Sequence, residues 1–483
     1  MVISVPLFSG GGAGTQGDGS SAPLIGVTKT TQQNRPLVSL VSRISAGNCS
    51  VRHEVLGEFG KMEGSLLNGK LLIKNGRLVD PANQIDEQLD ILIQDGKIAG
   101  IANSIANNPD TAGAQVIDAT GRIVAPGLID MHCHLRIPGF PEREDLTTGS
   151  RAAAAGGFTT VVPHPNTRPV IDNLIALRNL QEQIAKESII NILPAASITL
   201  GQKGNELSPL TGLAAFGVPL FSEDGQTLAS AALMRRALQA AKQMDIPICH
   251  HNQDKSLAAD GAMYAGEVAA RLGIPGIPAS SETVMAARDI VLARETGGHI
   301  HICHVCYAPT VELIRLAKQC SVSITAEATV HHFTLTDAAV AERGAYAKIN
   351  PPLGTQADID AIKKGLQDGT IDAIVTDHAP WTAAEKDRDI KTAPFGLIGF
   401  ETALSLVISE LVNPGVLTLS EAIAKMTVNP NRILKGVSKG RLNVGADADL
   451  IIIDQKKQWV ADPDRYQSKS RNCPYRGRRM QGK

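Results

Sequence analysis

The sequence is short of the features that mark several functional classes. Aromatic residues make up only 3% of its 483 residues, which argues against a platform on which single-stranded nucleic acid stacks. The formal net charge is −1, so no overall field favours nucleic acid or an anionic membrane. No apolar run approaches the roughly 20 residues of a membrane-spanning helix. Neither nucleic acid nor a membrane is therefore an expected partner.

Cysteine is scarce as well. The seven cysteines are an odd number with scattered spacing, which does not fit a disulfide framework. Cys133 and Cys249 stand beside histidines in strand-like runs, and the Cys303–Cys306 pair has no second pair to complete a zinc motif. This usage is typical of a reducing compartment, so the sequence predicts a cytoplasmic protein.

The first 61 residues differ in composition from the rest of the chain. They are rich in Gly, Ser, Thr and Gln and poor in acidic residues, so they cannot bury much apolar surface. We predict that residues 1–61 form a disordered extension. Two alternatives stay open: a transit-type presequence, which would make the protein organellar, and translation that begins at Met62, which we favour slightly.

Short strands and turns follow from residue 66 to residue 125. Asn75-Gly76 and Asp95-Gly96 are hairpin signals. A similar strand pattern returns near the other end of the sequence, at residues 446–454. The sequence thus predicts one small composite β domain built from residues 66–125 plus 434–483.

Between these ends, residues 126–433 alternate strand and helix about eight times. The predicted strands are 129–135, 158–164, 190–198, 218–224, 246–252, 299–305, 322–329 and 373–379. Eight β-then-α units of this length predict an α/β fold of the (β/α)8 TIM-barrel type. Active sites of such barrels lie at the carboxyl ends of the strands.

Five of the predicted strands end in residues that bind metals. His132 and His134 are two positions apart on the first strand, so their side chains point the same way. The other four ends are Ser222-Glu223-Asp224-Gly225, Cys249-His250-His251-Asn252, Cys303-His304-Val305 and Thr376-Asp377-His378-Ala379-Pro380. Imidazole and carboxylate ligands suit zinc, and so many of them predict two zinc ions that share a bridging carboxylate.

The chain resembles the amidohydrolase superfamily, and within it the type I bacterial dihydroorotases, over residues 66–480. The motifs that carry the resemblance are Ala125–Asp130, His132–Arg136 with Pro138-Gly139, Ala155–Thr160, Pro165–Pro169, Ile274–Pro278, Ile349–Leu353, Thr376–Pro380 and Ala393–Gly396. The resemblance implies a zinc-dependent enzyme that reversibly cyclises N-carbamoyl-L-aspartate to L-dihydroorotate in pyrimidine (UMP) biosynthesis.

The resemblance also implies roles for individual residues. His132 and His134 would hold one zinc ion and His251 and His304 the other, with Asp224 as the bridge and no lysine carbamate. Asp377 would bind the first zinc ion and act as the catalytic proton shuttle. The residues implied to bind substrate are His134, Arg136, Asn166, Asn350, Phe395 and Gly396.

Several departures from the family pattern affect the substrate rim. Trp381 stands where the family usually has a His that helps to bind the substrate carboxylate, so we expect one donor fewer there. His164 replaces the usual Met before Pro165; it could supply an imidazole instead, but we favour a histidine that is merely packed there. The sequence also stops where the family continues into a further strand of the β domain, so we expect either a truncated sequence or a domain that lacks an edge.

Other functions stay open at this point. One is a different cyclic amidohydrolase, of the hydantoinase, dihydropyrimidinase or allantoinase type. Another is a non-catalytic scaffold that serves aspartate transcarbamoylase, although such partners tend to lose metal ligands and all six are present here. We also expect a homo-oligomer, with association with aspartate transcarbamoylase as an open partner.

Overall fold

The computed structural model describes residues 1–4, 69–105 and 108–483. A seven-stranded sheet combines strands from both ends of the chain. Its strands are Val2–Ile3, Lys70–Asp80, Ile85–Gln94, Lys97–Ala102, Gln115–Asp118, Ile123–Pro126 and Leu450–Ile453. The side chains of Ile73, Leu78, Ile91 and Leu450 are fully buried and form the core of this sheet.

The two predicted hairpin signals have different outcomes. Asp95-Gly96 is the two-residue turn between Ile85–Gln94 and Lys97–Ala102, and both residues have the positive φ that such a turn requires. Asn75-Gly76 is not a turn, so that prediction is wrong. It forms a bulge inside Lys70–Asp80, with Asn75 at φ 63°. A Cβ on Gly76 would lie 2.5 Å from Val124 Cγ2, so the close packing of a neighbouring strand favours glycine here.

The first four residues correct the prediction of a disordered extension. Val2–Ile3 pairs antiparallel with Leu450–Ile453, and the Met1 carbonyl accepts a hydrogen bond from Ile452 N at 2.9 Å. The edge of a sheet offers unpaired backbone groups, so a short segment can add to it even where the surrounding composition is polar. Residues 5–61, and with them the rest of that prediction and Met62, lie outside the described residues.

Parallel strands make up the second part of the fold. A three-stranded and a six-stranded sheet contain Leu128–Cys133, Phe158–Pro163, Asn191–Ile192, Ala196–Ser197, Phe221–Ser222, Ile248–His250, Ile300–Ile302, Ile324–Thr329 and Ala373–Val375. All neighbouring pairs in these sheets run parallel. Each of the eight predicted strands overlaps at least one of these nine elements, and strand 190–198 overlaps two, so the mixed α/β class is confirmed.

Helices connect the parallel strands. They are Leu146–Ala155, Leu174–Glu187, Leu210–Ala215, Ala231–Met244, Lys255–Ala258, Glu267–Leu272, Ser280–Thr296, Ala308–Gln319, Ala338–Arg343, Gln356–Asp368, Ala383–Lys386, Phe400–Val407, Leu419–Lys425 and Val428–Ile433. Their starts are set locally: Asp145 and Thr355 each accept a hydrogen bond from a backbone N–H in the first turn that follows. None of the helices in the described ranges is both long and apolar enough to span a membrane.

The last residues of the chain contact the helices rather than the seven-stranded sheet. Gln458–Val460 and Arg479–Gln481 form an antiparallel hairpin. Trp459 Nε1 donates to Ser405 Oγ at 3.1 Å, and Met480 is buried in the same cluster as Leu406. Only Leu450–Ile453, out of the whole C-terminal segment, lies in the seven-stranded sheet.

Candidate active site

Six side chains from five strand ends converge on one point of the structure. Asp224 is at the centre, and its Oδ1 lies 3.5 Å from His132 Nε2. The other candidate ligands surround these two and come from the carboxyl ends of parallel strands that are distant in sequence. They are His134, His251, His304 and Asp377. All six side chains are buried.

One side of this cluster contains His132, His134 and Asp377. His134 Nε2 lies 2.9 Å from Asp377 Oδ1 and 3.4 Å from Asp224 Oδ2. His132 Nε2 lies 3.7 Å from Asp377 Oδ1. The three residues offer ligand atoms close enough to hold one metal ion. Asp377 N donates to the His132 carbonyl at 2.9 Å, which fixes the two strand ends against each other.

The other side of the cluster contains His251 and His304. His304 Nε2 lies 2.8 Å from His251 Nδ1 and 3.2 Å from Asp224 Oδ1. His251 Nδ1 lies 3.3 Å from the same Asp224 oxygen. His132, Asp224 and His304 form a second group that could hold a metal ion, so Asp224 stands between the two sets of imidazoles.

The electrostatics of the cluster favour a bound cation. Burial disfavours a charged His132, yet the Glu327 and Asp224 carboxylates raise its pKa well above the usual value. Burial alone would also raise the pKa of Asp377, but the hydrogen bond with His134 and the nearby imidazoles bring it down to about 2. His132 Nε2 is buried and has no hydrogen-bond partner among the described residues. A buried, unpaired nitrogen surrounded by carboxylates fits a metal ligand.

Three residues of the site have a strained backbone. Arg136, His304 and Asp377 have φ values of 63°, 31° and 46°, a region that side-chain-bearing residues rarely adopt. Such conformations persist only where the surrounding structure enforces them, and they cluster at active sites.

Sequence reasoning missed Glu327. This carboxylate is fully buried and makes a very short contact with His132 Nδ1, while His301 Nε2 lies 3.1 Å from its other oxygen. It therefore holds the His132 ring so that Nε2 faces the cluster. The only sequence signal was a lone acidic residue in the apolar strand Ile324–Thr329.

A cavity of about 330 Å³ opens beside the cluster. All of the residues predicted to bind substrate line it, and they are His134, Arg136, Asn166, Asn350, Phe395 and Gly396. A larger cavity of about 410 Å³ is lined by Arg122, Lys457 and Lys483 among others, and it contains none of the predicted site residues. The smaller cavity is therefore the candidate active site.

Arg136 is the cationic group of this cavity. Its Nε donates to the Pro380 carbonyl at 3.0 Å, and its side chain makes no ion pair within the described part of the chain. Burial, followed by repulsion from Arg143, lowers its pKa to about 10, so it stays charged at neutral pH. A buried guanidinium with free N–H groups fits a carboxylate ligand.

The two asparagines contact candidate metal ligands as well as the cavity. Asn166 Oδ1 lies 3.0 Å from His134 Nδ1. Asn350 forms a reciprocal amide pair with Gln253, with distances of 2.7 and 3.0 Å, and its Nδ2 lies 3.1 Å from His251 Nε2. Both asparagines therefore also orient an imidazole, a contact that the sequence did not reveal.

Phe395 and Gly396 form another part of the cavity wall. Gly396 has φ 132°, and a Cβ there would lie 2.8 Å from Trp381 Nε1, so only glycine fits. Lys386, which is buried, donates to the Gly396 carbonyl at 3.0 Å and holds this segment in place.

The structure shows where the side chains at the two substituted positions, Trp381 and His164, lie. The Trp381 indole N–H donates to the Phe395 carbonyl at 2.7 Å, so it is not free for a substrate. The His164 ring stacks on the His132 ring, with the two centroids 3.9 Å apart, and His164 Nδ1 lies 2.9 Å from Ser222 Oγ. His164 is therefore a support for the metal cluster and does not replace the missing donor.

Comparisons with known proteins identify the class and then the family. The dihydro-orotase-like family profile matches residues 121–308. Dihydroorotase of Pelotomaculum thermopropionicum is 50% identical over 413 residues, which span 86% of this chain and 95% of the relative. Dihydroorotase of Syntrophus aciditrophicus is 43% identical over 414 residues, which span 86% and 96%.

Solved structures share the fold at lower identity. L-hydantoinase (dihydropyrimidinase) from Arthrobacter aurescens has a TM-score of 0.77 at 24% identity and covers 85% of this chain and 93% of its own. Dihydropyrimidinase from Brevibacillus agri has a TM-score of 0.74 at 22% identity, with coverage of 86% and 92%. Taken with the sequence relatives, these matches define an enzyme of the amidohydrolase class. Within that class, the chain belongs to the dihydroorotase family.

Proposed function

We propose that this enzyme is a dihydroorotase, which reversibly cyclises N-carbamoyl-L-aspartate to L-dihydroorotate in pyrimidine (UMP) biosynthesis. The identity of 43–50% to dihydroorotases over nearly their whole length supports this function. The observation that carries it is Arg136, a buried guanidinium that lines the cavity beside the metal cluster with no carboxylate partner of its own in the described residues. Dihydroorotate differs from dihydrouracil by one carboxylate, which this group would bind.

We infer that the parallel strands close into a (β/α)8 barrel. Hydrogen bonds from Asp377 N to the His132 carbonyl, at 2.9 Å, and from His134 N to the His378 carbonyl, at 2.8 Å, link the last strand to the first. The division into a barrel at 126–433, a composite β domain and an N-terminal extension stays a prediction.

The centre would bind two zinc ions. His132, His134 and Asp377 would hold one, His251 and His304 the other, and Asp224 both, because its carboxylate lies within 3.5 Å of His132, His134, His251 and His304. Such ions would lower the pKa of water and polarise the amide carbonyl of the substrate.

The chain's own residues would do the rest of the chemistry. In the hydrolytic direction, water adds to the ring amide carbonyl and the bond from that carbon to the ring nitrogen breaks. Asp377 would take the proton from the attacking water and give it to the leaving nitrogen. Its low pKa keeps it ionised and ready to accept that proton. Arg136 and Asn166 would hold the carboxylate. Asn350 would also bind the substrate, and the Phe395-Gly396 backbone would close over the ring.

Assays on the purified protein with four cyclic amides test this proposal. Dihydroorotate should be hydrolysed with a kcat/KM at least about a hundredfold above that for dihydrouracil, hydantoin or allantoin, since a missing partner for a buried charge costs about 3 kcal/mol. Faster turnover of a neutral ring would favour the alternative of a hydantoinase-type or allantoinase-type enzyme. His132→Ala should lose most of the bound zinc and the activity; full zinc content in that variant would contradict the site.

The remaining sequence predictions concern the cellular location, the oligomeric state and a partner protein. We propose that it acts in the cytoplasm as a homo-oligomer. Association with aspartate transcarbamoylase is a further proposal. Light scattering of the purified protein, alone and mixed with aspartate transcarbamoylase from the same organism, would test both.

A further inference from the structure

Trp381 has an unusual set of contacts at the rim of the substrate cavity. The guanidinium carbons of Arg136 and Arg143 lie 4.8 and 4.0 Å from the centroid of its ring. Its indole N–H donates to the Phe395 carbonyl, and its own backbone N donates to Asn472 Oδ1 at 3.3 Å. The side chain thus contacts the two parts of the cavity wall that would meet the substrate.

The Arg136 guanidinium has one hydrogen bond to the described part of the chain. The hydrogen bond from its Nε to Pro380 fixes one end of the guanidinium, but a planar group held at one atom can still rotate. A cation that lies over an indole face is attracted to it, most strongly where water is excluded. Arg143 cannot take over the role of Arg136, because it pairs with Glu385 at 2.7 Å.

We propose that Trp381 is a positioning residue, whose ring aims Arg136 at the substrate carboxylate and whose N–H, through the Phe395 carbonyl, holds that ring in place. This inference rests on the proposed dihydroorotase function and deepens it. Trp381 would select substrates that carry a carboxylate without touching that carboxylate as a donor.

Two substitutions separate the two contacts. Trp381→Phe keeps an aromatic face over Arg136 and loses the N–H, whereas Trp381→Leu loses both. Trp459 is a matched control, since its Nε1 also donates to a backbone carbonyl, that of Gly482 at 3.0 Å, and Lys483 Nζ lies 4.9 Å from its ring centroid. Trp459 does not line the cavity.

The measurement is KM and kcat for L-dihydroorotate, with dihydrouracil as a competitive inhibitor that has the same ring and no carboxylate. We expect Trp381→Leu to raise KM for dihydroorotate by about tenfold and to change kcat less than threefold. Trp381→Phe should raise KM for dihydroorotate less than Trp381→Leu does. In both variants the inhibition constant of dihydrouracil should stay within about twofold of wild type. Trp459→Leu should leave all three constants unchanged.

A double variant completes the test. In an Arg136→Gln background, Trp381→Leu should add little further loss, because the ring would have no guanidinium to aim. An unchanged KM in Trp381→Leu, an equal loss for dihydrouracil, or additive losses in the double variant would overturn the inference. Wild-type protein that does not hydrolyse dihydroorotate would instead overturn the proposed function, and this inference with it.

Discussion

Replacement of Glu327 by Gln should weaken zinc binding while the protein stays folded. The Glu327 carboxylate is fully buried, and its oxygens contact His132 Nδ1 and His301 Nε2. Gln has nearly the same shape, so packing should survive. It lacks the charge and has one acceptor oxygen instead of two, so His132 becomes a less basic ligand that is held less firmly.

The magnitude follows from the contacts that are lost. A hydrogen bond to a charged group contributes about 1.5–3 kcal/mol, and each 1.36 kcal/mol is about tenfold in an equilibrium constant. Zinc affinity should therefore fall by about ten- to a hundredfold. Protons compete with zinc for His132, because the neighbouring carboxylates raise its pKa. Glu327→Gln weakens this competition too, so at lower pH part of the loss in zinc affinity is offset. The full loss of zinc affinity should therefore appear at alkaline pH.

Competition with a chelator at pH 8 and pH 9 gives the zinc affinity of each variant. Asp289→Asn is a matched control: Asp289 Oδ2 lies 2.6 Å from His250 Nδ1, and both residues are buried, but His250 is not a candidate ligand. Glu327→Gln should lose affinity and Asp289→Asn should not. If both variants bind zinc like the wild type, or both lose it equally, the orienting role of Glu327 is refuted.

Three further changes test other parts of the structure. Asp377→Asn cannot shuttle a proton, so kcat should fall by about 100- to 10,000-fold with an unchanged circular dichroism spectrum; near-normal turnover would exclude the acid–base role. Deletion of residues 1–61 removes the pairing of Val2–Ile3 with Leu450–Ile453, so scanning calorimetry should show Tm lower by about 2–6 °C, with kcat/KM unaltered; an unchanged Tm would mean that this edge adds no stability. Burial raises the pKa of Glu282 from 4.5 to about 8, so the folded chain binds its proton more tightly than the unfolded chain, and the stability from this carboxyl is lost as pH rises from about 4.5 to about 8. Glu282→Gln should therefore show a smaller fall in Tm between pH 5 and pH 8 than wild type; parallel curves would contradict this linkage.

The positions of the candidate metal ligands could be predicted from the sequence because each follows an apolar strand. Alternation along a strand puts His132 and His134 on one face, and parallel strands bring their carboxyl ends together. Glu327 has no comparable signal. Its partner His132 is 195 residues away, and one acidic residue in a strand looks the same whether it faces an imidazole or solvent.

Other differences arose because local sequence cannot report on distant packing. Asn75-Gly76 has the conformational preference of a hairpin turn and of a bulge alike, and the pairing of the residues on both sides with the same neighbouring strand decides for the bulge. Trp381 was expected to leave the site one donor short, and no local signal showed which group its N–H would bind in place of a substrate. The Phe395 carbonyl, 14 residues further along, takes that N–H instead.

With two divalent ions bound, the charges of the site would favour an anionic substrate over a neutral one. Asp224, Asp377 and Glu327 place three negative charges in the cluster, and their pKa values are all below the usual range because imidazoles surround them. Two divalent ions would leave this cluster with one positive charge, and Arg136 adds a second. Isolated charge is costly in a buried site, so the best-matched ligand brings two negative charges of its own. N-carbamoyl-L-aspartate has two carboxylates and dihydroorotate has one, whereas hydantoin and dihydrouracil would leave the cavity with its positive charge uncompensated.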